Sequence, residues 1–340
     1  MVSMRKRLIR FSEADPATSR AELLRWIKKR SALLAIFSGV LIFALLLVFW
    51  ASNRLANRLL ASYEAQRSVI MYDRNGRGIA IKPNVRGYYA RYAQVPFERF
   101  IALLLAKEDR YFYRHVGVNP ISIARAGIRY FLGDSRTANS TITQQLVKIL
   151  LGNEQSRSIK NKIKEVVYAM ALELHTSKRE ILTMYQNSAY FGNRAQGVKE
   201  AAQFYFGTES EALSDIEWLA LVATLQSPSD NYPGTSDNKT MLSRLALEMG
   251  IPNGDDRSLS LSKALSFSQR RDDAAFELET TGVSCKESCH LTIDRELTRS
   301  VRAILNRDLE KSSRGVHNGA VIVIKLPENE VLALVGSPNP

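Results

Sequence analysis

One uncharged apolar run constrains the folding of this 340-residue chain more than any other feature. Residues 31–53 contain no Asp, Glu, Lys or Arg, and their centre, 33–50, is almost wholly Leu, Ile, Val, Ala and Phe. About twenty helical residues, rising ~1.5 Å each, span a hydrocarbon core of ~30 Å. The competing interpretation is a cleaved signal peptide, whose apolar region usually covers only ~7–15 residues. We therefore predict a transmembrane helix over 31–53.

The basic residues before this run predict its orientation. Residues 1–30 contain nine Lys and Arg against three Asp and Glu, and they supply a large part of the chain's net charge of +13. A basic flank of this kind stays in the cytoplasm. Trp26 and Trp50 bracket the run at the level where interfacial aromatic residues belong. Everything after residue 53 is therefore predicted to lie outside.

The external chain is predicted to be mainly helical. Residues 54–67 continue as a polar helical stalk, and 68–82 indicate a strand, a turn and a second strand. From Pro96 the pattern is helical over about 130 residues, whereas 227–280 indicate loops with short helices. Capping-box spacing recurs at three helix starts: Thr141 with Gln144, Ser177 with Glu180, and Ser214 with Glu217.

The pattern changes near residue 290. A short extended segment, a helix over 295–309 and two strands, 320–326 and 331–335, indicate the opening of an α/β domain. The two cysteines, Cys285 and Cys289, precede it. They are consistent with free thiols or with a local disulfide in an oxidising compartment. With His290 they would form only an incomplete metal site.

Four polar segments carry candidate chemistry, and each also has a plain structural interpretation. In 107–117 the carboxylates of Glu108 and Asp109 share a helix end with two arginines, three aromatics and a histidine, which is unusual for a solvated pair. In 140–148 hydroxyl groups cap a helix start, which with Lys148 would also suit a phosphate.

In the third segment, 160–165, Lys162 and Glu165 have the spacing of a helical ion pair. The fourth, 185–207, contains repeated aromatic-Phe-Gly endings that core packing would also explain.

Taken in order, these segments resemble the glycosyltransferase family 51 domain of bifunctional penicillin-binding proteins and monofunctional transglycosylases. The matching stretches are Glu-Asp-x-x-Phe-x-x-His-x-Gly at 108–117, Ser-Thr-Ile-Thr-Gln-Gln-Leu-x-Lys at 140–148 and Lys-x-x-Glu at 162–165. They continue with Asn-x-x-Tyr-Phe-Gly at 187–192 and Gly-x-x-x-Ala-Ala-x-x-Tyr-Phe-Gly at 197–207. The resemblance covers about residues 65–230, with a weaker one over 291–339.

The resemblance implies a mainly α, lysozyme-like glycosyltransferase domain after a single N-terminal transmembrane helix, with the start of an α/β transpeptidase-like domain at the C-terminus. The expected organisation is a cytoplasmic basic tail (1–30), the transmembrane helix (31–53), the glycosyltransferase domain (54–235), a linker (236–289) and the truncated start of a penicillin-binding transpeptidase-like domain (290–340). The expected location is the bacterial inner (cytoplasmic) membrane, crossed once.

The resemblance also implies a reaction and its residues. A peptidoglycan glycosyltransferase joins lipid II to a growing lipid-linked glycan strand with inversion and releases undecaprenyl pyrophosphate. Glu108 and Glu165 would be catalytic, Glu108 as general base. The expected substrate-binding residues are Asp109, Phe112, His115, Ser140, Thr141, Gln144, Gln145, Lys148, Lys162, Asn187 and Tyr190. A Mg²⁺ or Mn²⁺ ion is expected near Asp109 and Glu165. Other cell-wall synthesis proteins and the membrane are expected partners, and nucleic acid is not.

The sequence departs from the family pattern at several positions: Ala138 and Asn139 for a Gly-Gly pair, Ile149 for Asn, Asn161 for Arg, Gln186 for Leu, and Arg194 for Gly. These departures keep open a non-catalytic lipid II-binding scaffold. A hydrolase of the same fold is the third hypothesis, and the lysines directed at a pyrophosphate favour synthesis over hydrolysis.

A transpeptidase is rejected for this chain. Ser-x-x-Lys at 260–263 follows both Ser-Asp-Asn triplets, 229–231 and 236–238, which is the wrong order, and there is no Lys-Thr-Gly.

Overall fold

The structure is a computed structural model that describes residues 16–121, 140–152, 158–251, 285, 288–311 and 318–336. The chain divides into two compact units, Met1–Leu55 and Ala56–Pro340. The first helix, α1 (Pro16–Ala65), contributes to both units.

Within the first unit, α1 exposes its large apolar side chains from Leu33 to Trp50. Among the described residues it is the one helix whose length and composition allow it to cross a membrane, with a mean hydropathy of 2.9 and no burial in its most apolar window. A soluble helix with so many exposed apolar side chains would be unfavourable in water. The prediction of a helix over 31–53 is confirmed, and this helix is a candidate membrane span.

In the second unit, the last turns of α1 belong to the core. Ala56, Leu59 and Tyr63 recur on one helical face and are buried. The prediction of a helix over 54–67 is confirmed, but its description as a polar stalk is wrong, because this face packs into the domain.

The remaining described helices are α2 (Glu98–Glu108), α3 (Ile142–Leu150), α4 (Ile159–His175), α5 (Lys178–Ser188), α6 (Val198–Phe206), α7 (Asp215–Thr224), α8 (Ser236–Met249) and α9 (Arg295–Glu310). Single 3₁₀ turns lie at Phe112–Arg114 and Ser210–Ala212. The three predicted capping boxes, at Thr141, Ser177 and Ser214, are all formed at the starts of α3, α5 and α7.

The core of the second unit is built around α7. Every residue from Ile216 to Thr224 is buried, as expected for a helix that is apolar all round. Helix α2 packs on one side of α7 through Phe100, whose ring lies 6.0 Å from that of Trp218. Helix α8 packs against it too and contributes Leu242 and Leu245 to the same core. The core therefore continues into the predicted linker, 236–289.

Short strands complete the second unit. β1 (Val69–Tyr72) pairs antiparallel with β2 (Gly78–Lys82), which confirms the predicted strand–turn–strand, and parallel with β5 (Cys289–His290). β3 (Tyr89–Ala90) pairs with β4 (Ala195–Gln196), and β6 (Val321–Lys325) with β7 (Glu330–Val335).

The two cysteines form a disulfide, Cys285–Cys289, and Cys289 is the residue of β5 that pairs with Met71 of β1. This resolves the alternatives that the sequence left open. The His290 ring stacks on the Tyr72 ring, with the two ring centroids 5.0 Å apart.

Candidate active site

Glu108 is the last residue of α2, and its side chain is 20% exposed, which lets a ligand reach a largely shielded carboxylate. The buried residues Phe100 and Leu104 anchor the helix in the core. The Gln145 side-chain amide donates to Glu108 Oε2 at 3.1 Å. The ammonium of Lys107 lies 3.5 Å from Oε1. Each carboxylate oxygen therefore has its own partner.

A buried tyrosine orients this glutamine. The Tyr185 hydroxyl donates to Gln145 Oε1 at 2.9 Å, so the amide must present its NH₂ group to Glu108. Burial raises the pKa of Tyr185, and the negative charge of Glu108 raises it further. The hydroxyl therefore remains a donor at neutral pH. Tyr185 is in the fourth sequence segment but was not predicted as a site residue.

Lys107 was also missed by the sequence analysis. Its side chain is only 7% exposed, and Nζ donates to the carbonyl of Val222 at 2.9 Å. Burial lowers the pKa of Lys107, an effect that the charge of Glu108 opposes. The signal was present: Lys107 lies three, four and seven residues after Leu104, Leu103 and Phe100, on the buried face of α2.

Asp109 follows Glu108 but is buried and fully engaged. The His115 ring Nε2 lies 3.1 Å from both carboxylate oxygens, and the Ile142 backbone N–H donates to Oδ2 at 3.1 Å. Asp109 thus places a negative charge at the N-terminus of α3, where the helix dipole favours it.

The start of α3 is locked by a capping box. Thr141 accepts from the Gln144 backbone N–H at 3.2 Å, and the Gln144 side chain accepts from the Thr141 N–H at 3.0 Å. The Thr141 hydroxyl also donates to the Gly117 carbonyl at 2.6 Å. The Ile142 and Gln144 N–H groups donate to protein oxygens. These two groups are therefore not free to bind the phosphate that was expected at this helix start.

The second predicted catalytic carboxylate, Glu165, lies buried on α4. Lys162 Nζ donates to Glu165 Oε2 at 3.0 Å and to the Ser140 hydroxyl at 2.7 Å. Gln145, the partner of Glu108, reaches the Ser140 carbonyl at 3.5 Å. Ser140 therefore lies between the Glu108 group and the Lys162–Glu165 pair, and the structure brings all these residues together.

A network of hydrogen bonds and ion pairs joins segment 140–148 to α4 and α5. Thr143 donates to Glu173 at 2.6 Å, and Lys178 binds the same carboxylate at 2.7 Å. Lys178 also donates to the His115 carbonyl at 2.7 Å and lies 4.2 Å above the Phe112 ring. Phe112 is 1% exposed, so its ring serves the core.

The remaining predicted site residues have varied surroundings. Lys148 is half-buried on α3, one turn beyond Gln144. The Asn187 amide donates to Tyr63 at 2.8 Å and to the Ala93 carbonyl at 2.9 Å. Tyr190 stacks on Tyr88 with ring centroids 4.8 Å apart. Asn187 and Tyr190 thus tie α1, α5 and the β3 region together, and their contact with substrate stays a prediction.

Two departures from the family pattern have structural partners. Arg194 has a left-handed backbone, with φ of +60°, and its Nε donates to the Gly87 carbonyl at 2.6 Å. Gln186 holds the 95–97 segment through bonds with the Val95 carbonyl and the Phe97 N–H. Ala138 and Asn139 lie outside the described residues.

The donor set does not fit the expected metal. Within the described ranges, no group of three or more His, Cys, Asp and Glu side chains is arranged to hold an ion. Both Asp109 oxygens already accept hydrogen bonds, and Glu165 is paired with Lys162. The Mg²⁺ or Mn²⁺ ion was predicted from the resemblance alone, and its two expected ligands, Asp109 and Glu165, bind protein groups in this structure.

Comparison with known proteins gives the family. The model described as transglycosylase matches residues 78–249, just over half of the chain, and includes every predicted site residue. The chain belongs to the transglycosylase family. This family assignment supports a peptidoglycan glycosyltransferase domain, mainly helical and preceded by one apolar helix that is a candidate membrane span.

The curated relatives are penicillin-binding proteins. The chain is 35% identical over 201 residues to penicillin-binding protein 1A of Aquifex aeolicus, which covers 59% of this chain and 27% of that protein. It is 36% identical over 157 residues to penicillin-binding protein 1C of Escherichia coli, which covers 44% and 20%. The chain thus spans about a quarter of the length of these relatives.

Among solved structures, the crystal structure of penicillin-binding protein 1A from Haemophilus influenzae matches with 18% identity and a TM-score of 0.27, over 74% of this chain and 31% of that one. This score is too low to support an argument about overall fold.

Proposed function

We propose that this transglycosylase polymerises lipid II into β-1,4-linked glycan strands with inversion and releases undecaprenyl pyrophosphate. The observation that carries the proposal is the position of Glu108, a 20% exposed carboxylate held through Oε2 by Gln145, in the same hydrogen-bond network as the Lys162 ammonium, since Gln145 and Lys162 both bind Ser140. A base and a cation in one network suit the attack of a hydroxyl and the departure of an anion.

In the proposed step, the Glu108 carboxylate takes the proton of the acceptor sugar's 4-hydroxyl. The oxygen forms a bond to the donor's anomeric carbon while the bond from that carbon to the pyrophosphate oxygen breaks. The pyrophosphate leaves with the electron pair, and attack from the opposite face inverts the anomeric centre. As the base, Glu108 must be placed within hydrogen-bond reach of that hydroxyl.

We assign the stabilisation of the leaving group to two lysines. Lys162 donates to the Ser140 hydroxyl, and the half-buried Lys148 lies on α3 within the same segment, 140–148. Their charges would stabilise the developing pyrophosphate anion. Glu165 positions Lys162 through their 3.0 Å ion pair. No step is assigned to a metal ion, because the described donors form no site for one.

The membrane anchor belongs to the same proposal. Both substrates are lipids confined to a bilayer, so a single-pass helix with the domain outside the inner membrane keeps the enzyme beside them. Other cell-wall synthesis proteins are proposed partners.

The proposal is tested by polymerisation of fluorescent lipid II by the full chain in detergent. Glu108→Gln keeps the shape of the side chain but removes the base, so strand synthesis should fall about 100-fold or more. The control is Glu98→Gln, an exposed position at the other end of the same helix, which should retain wild-type activity. Bound lipid II with no strands from the wild type would instead indicate a scaffold, and shortening of added strands would indicate a hydrolase.

We also propose that this chain has no transpeptidase activity. The Ser-x-x-Lys at 260–263 lies outside the described residues, and its order relative to the Ser-Asp-Asn triplets is wrong for that chemistry. A labelled penicillin should leave the chain unmodified under conditions that acylate a known penicillin-binding protein. Covalent labelling would contradict this.

A further inference from the structure

Lys107 is a buried ammonium with two negative neighbours from different helices. On α2 it lies 3.5 Å from Glu108 Oε1, and across the helix pair it donates to the Val222 carbonyl at 2.9 Å. Val222 is in the last turn of α7, whose carbonyl end carries the negative pole of the helix dipole. Lys107 therefore connects the candidate base to the most buried helix of the domain.

Burying an ammonium group is costly unless it is paired. An apolar side chain of similar length would fill the same space between α2 and α7 without that cost. Packing alone therefore does not explain a lysine here, and its burial instead lowers the Lys107 pKa. The remaining explanation is the effect of the ammonium on the orientation of its nearest carboxylate, that of Glu108.

The geometry around Glu108 is two-sided. Gln145, held by Tyr185, binds Oε2, whereas Lys107 faces Oε1. A carboxylate at a helix end has several rotamers, and a base acts efficiently only when its oxygen points at the hydroxyl that it deprotonates. Gln145 is fixed on α3, and Lys107 is tied to α7 through its hydrogen bond to Val222. Together they leave few rotamers of Glu108 accessible.

We propose that Lys107 is a positioning residue for the glycosyl transfer: anchored on the C-terminal end of α7, its ammonium fixes the Glu108 carboxylate in the orientation that receives the acceptor proton. This inference rests on the proposed function. It assigns Lys107 no contact with substrate, so its loss should lower kcat and leave the KM for lipid II nearly unchanged.

Three substitutions of Lys107 separate the effect of its charge from that of its packing. Lys107→Met keeps the length and apolar stem, and should lower kcat about 10- to 100-fold with KM within about twofold. Lys107→Gln keeps a donor for the Val222 carbonyl but lacks the charge, and should be equally impaired. Lys107→Arg keeps the charge and should recover part of the activity. Lys107→Gln should keep the thermal midpoint of the full chain in detergent closer to that of the wild type than Lys107→Met does, because its amide keeps a donor for the Val222 carbonyl.

The control is Lys199→Met, a half-buried lysine on α6 that is not part of the described site and should retain wild-type kcat. If Lys107→Met fails to fold, Lys107→Gln decides the question. Wild-type kcat in Lys107→Gln would overturn the positioning role, as would a loss confined to KM. Strands from the wild type but not from Glu108→Gln establish the proposed function separately, and a wild type without strands would overturn both.

Discussion

Asp109 and Glu108 are adjacent carboxylates with opposite surroundings. Glu108 has a partly exposed side chain at the end of α2, whereas Asp109 is buried between the His115 ring and the first N–H of α3. A carboxylate that accepts from a buried ring and from a helix start is suited to holding a loop against a helix. We therefore infer that Asp109 supports the architecture of the site, whereas Glu108 keeps its proposed role as the base.

This assignment predicts that Asp109→Asn acts first on stability. The amide keeps one acceptor oxygen but turns an NH₂ group towards one of two donors, and the charge at the α3 N-terminus is lost. Hydrogen bonds to charged groups contribute about 1.5–3 kcal/mol, so the free energy of unfolding should fall by about that amount. Thermal unfolding of the full chain in detergent measures it.

The matched control is Asp215→Asn, which removes an exposed ion pair with Arg99. Such pairs contribute at most about 1 kcal/mol. If Asp109→Asn unfolded at the same temperature as this control while losing activity, Asp109 would instead act directly on substrate.

At the scale of elements, the loop after Asp109 is pressed against α4. Gly117 has φ of +85°, and a Cβ there would lie 2.7 Å from the Ala169 carbonyl oxygen on α4. Gly117→Ala should therefore separate the loop that carries His115 from the helix that carries Glu165. We expect a loss of more than about 2 kcal/mol in unfolding free energy, together with lower strand synthesis.

Gly76 supplies the comparison, since its φ is +78° but no atom lies within 4 Å of a Cβ added there. Gly76→Ala tests backbone strain alone and should cost about 1 kcal/mol with activity retained. Denaturant unfolding measures the loss of unfolding free energy for both substitutions. Equal losses would show that the loop at Gly117 can move away from α4 to accommodate a Cβ.

Local elements were predictable from the sequence because their causes are local. Each capping box needs only a hydroxyl residue and a Glu or Gln three positions later, and all three predicted boxes are formed. The helix predicted over 295–309 is α9, Arg295–Glu310, and the two strands predicted after it are β6 and β7. The motif segments of the family were recognised from their order along the chain.

What could not be predicted depends on partners far along the chain. Lys107 meets a carbonyl 115 positions away, and β1 pairs with β5 across more than 200 residues. Nothing near Asp109 in the sequence shows that His115 and Ile142 occupy its oxygens. Burial of Leu59 and Tyr63 was likewise hidden, because the polar face of the same helix dominates the composition of 54–67.

At the scale of the whole molecule, two independent features favour the proposed location of the second unit outside the cytoplasm. The nine basic residues in 1–30 favour a cytoplasmic N-terminus. The Cys285–Cys289 disulfide favours an oxidising compartment for the other end of the chain. Because the described residues contain one helix able to span a bilayer, the two ends should lie on opposite sides.

This topology is tested with a membrane-impermeant maleimide on spheroplasts. Glu328→Cys, in the exposed turn between β6 and β7, should be labelled in intact cells, whereas Ser3→Cys should react only after permeabilisation. The parent chain, with its cysteines in a disulfide, gives the background without reductant. Labelling of Ser3→Cys but not of Glu328→Cys in unpermeabilised spheroplasts would indicate the opposite orientation. A shortened chain without residue 3 would identify α1 as a cleaved signal sequence and would contradict the proposed membrane anchor.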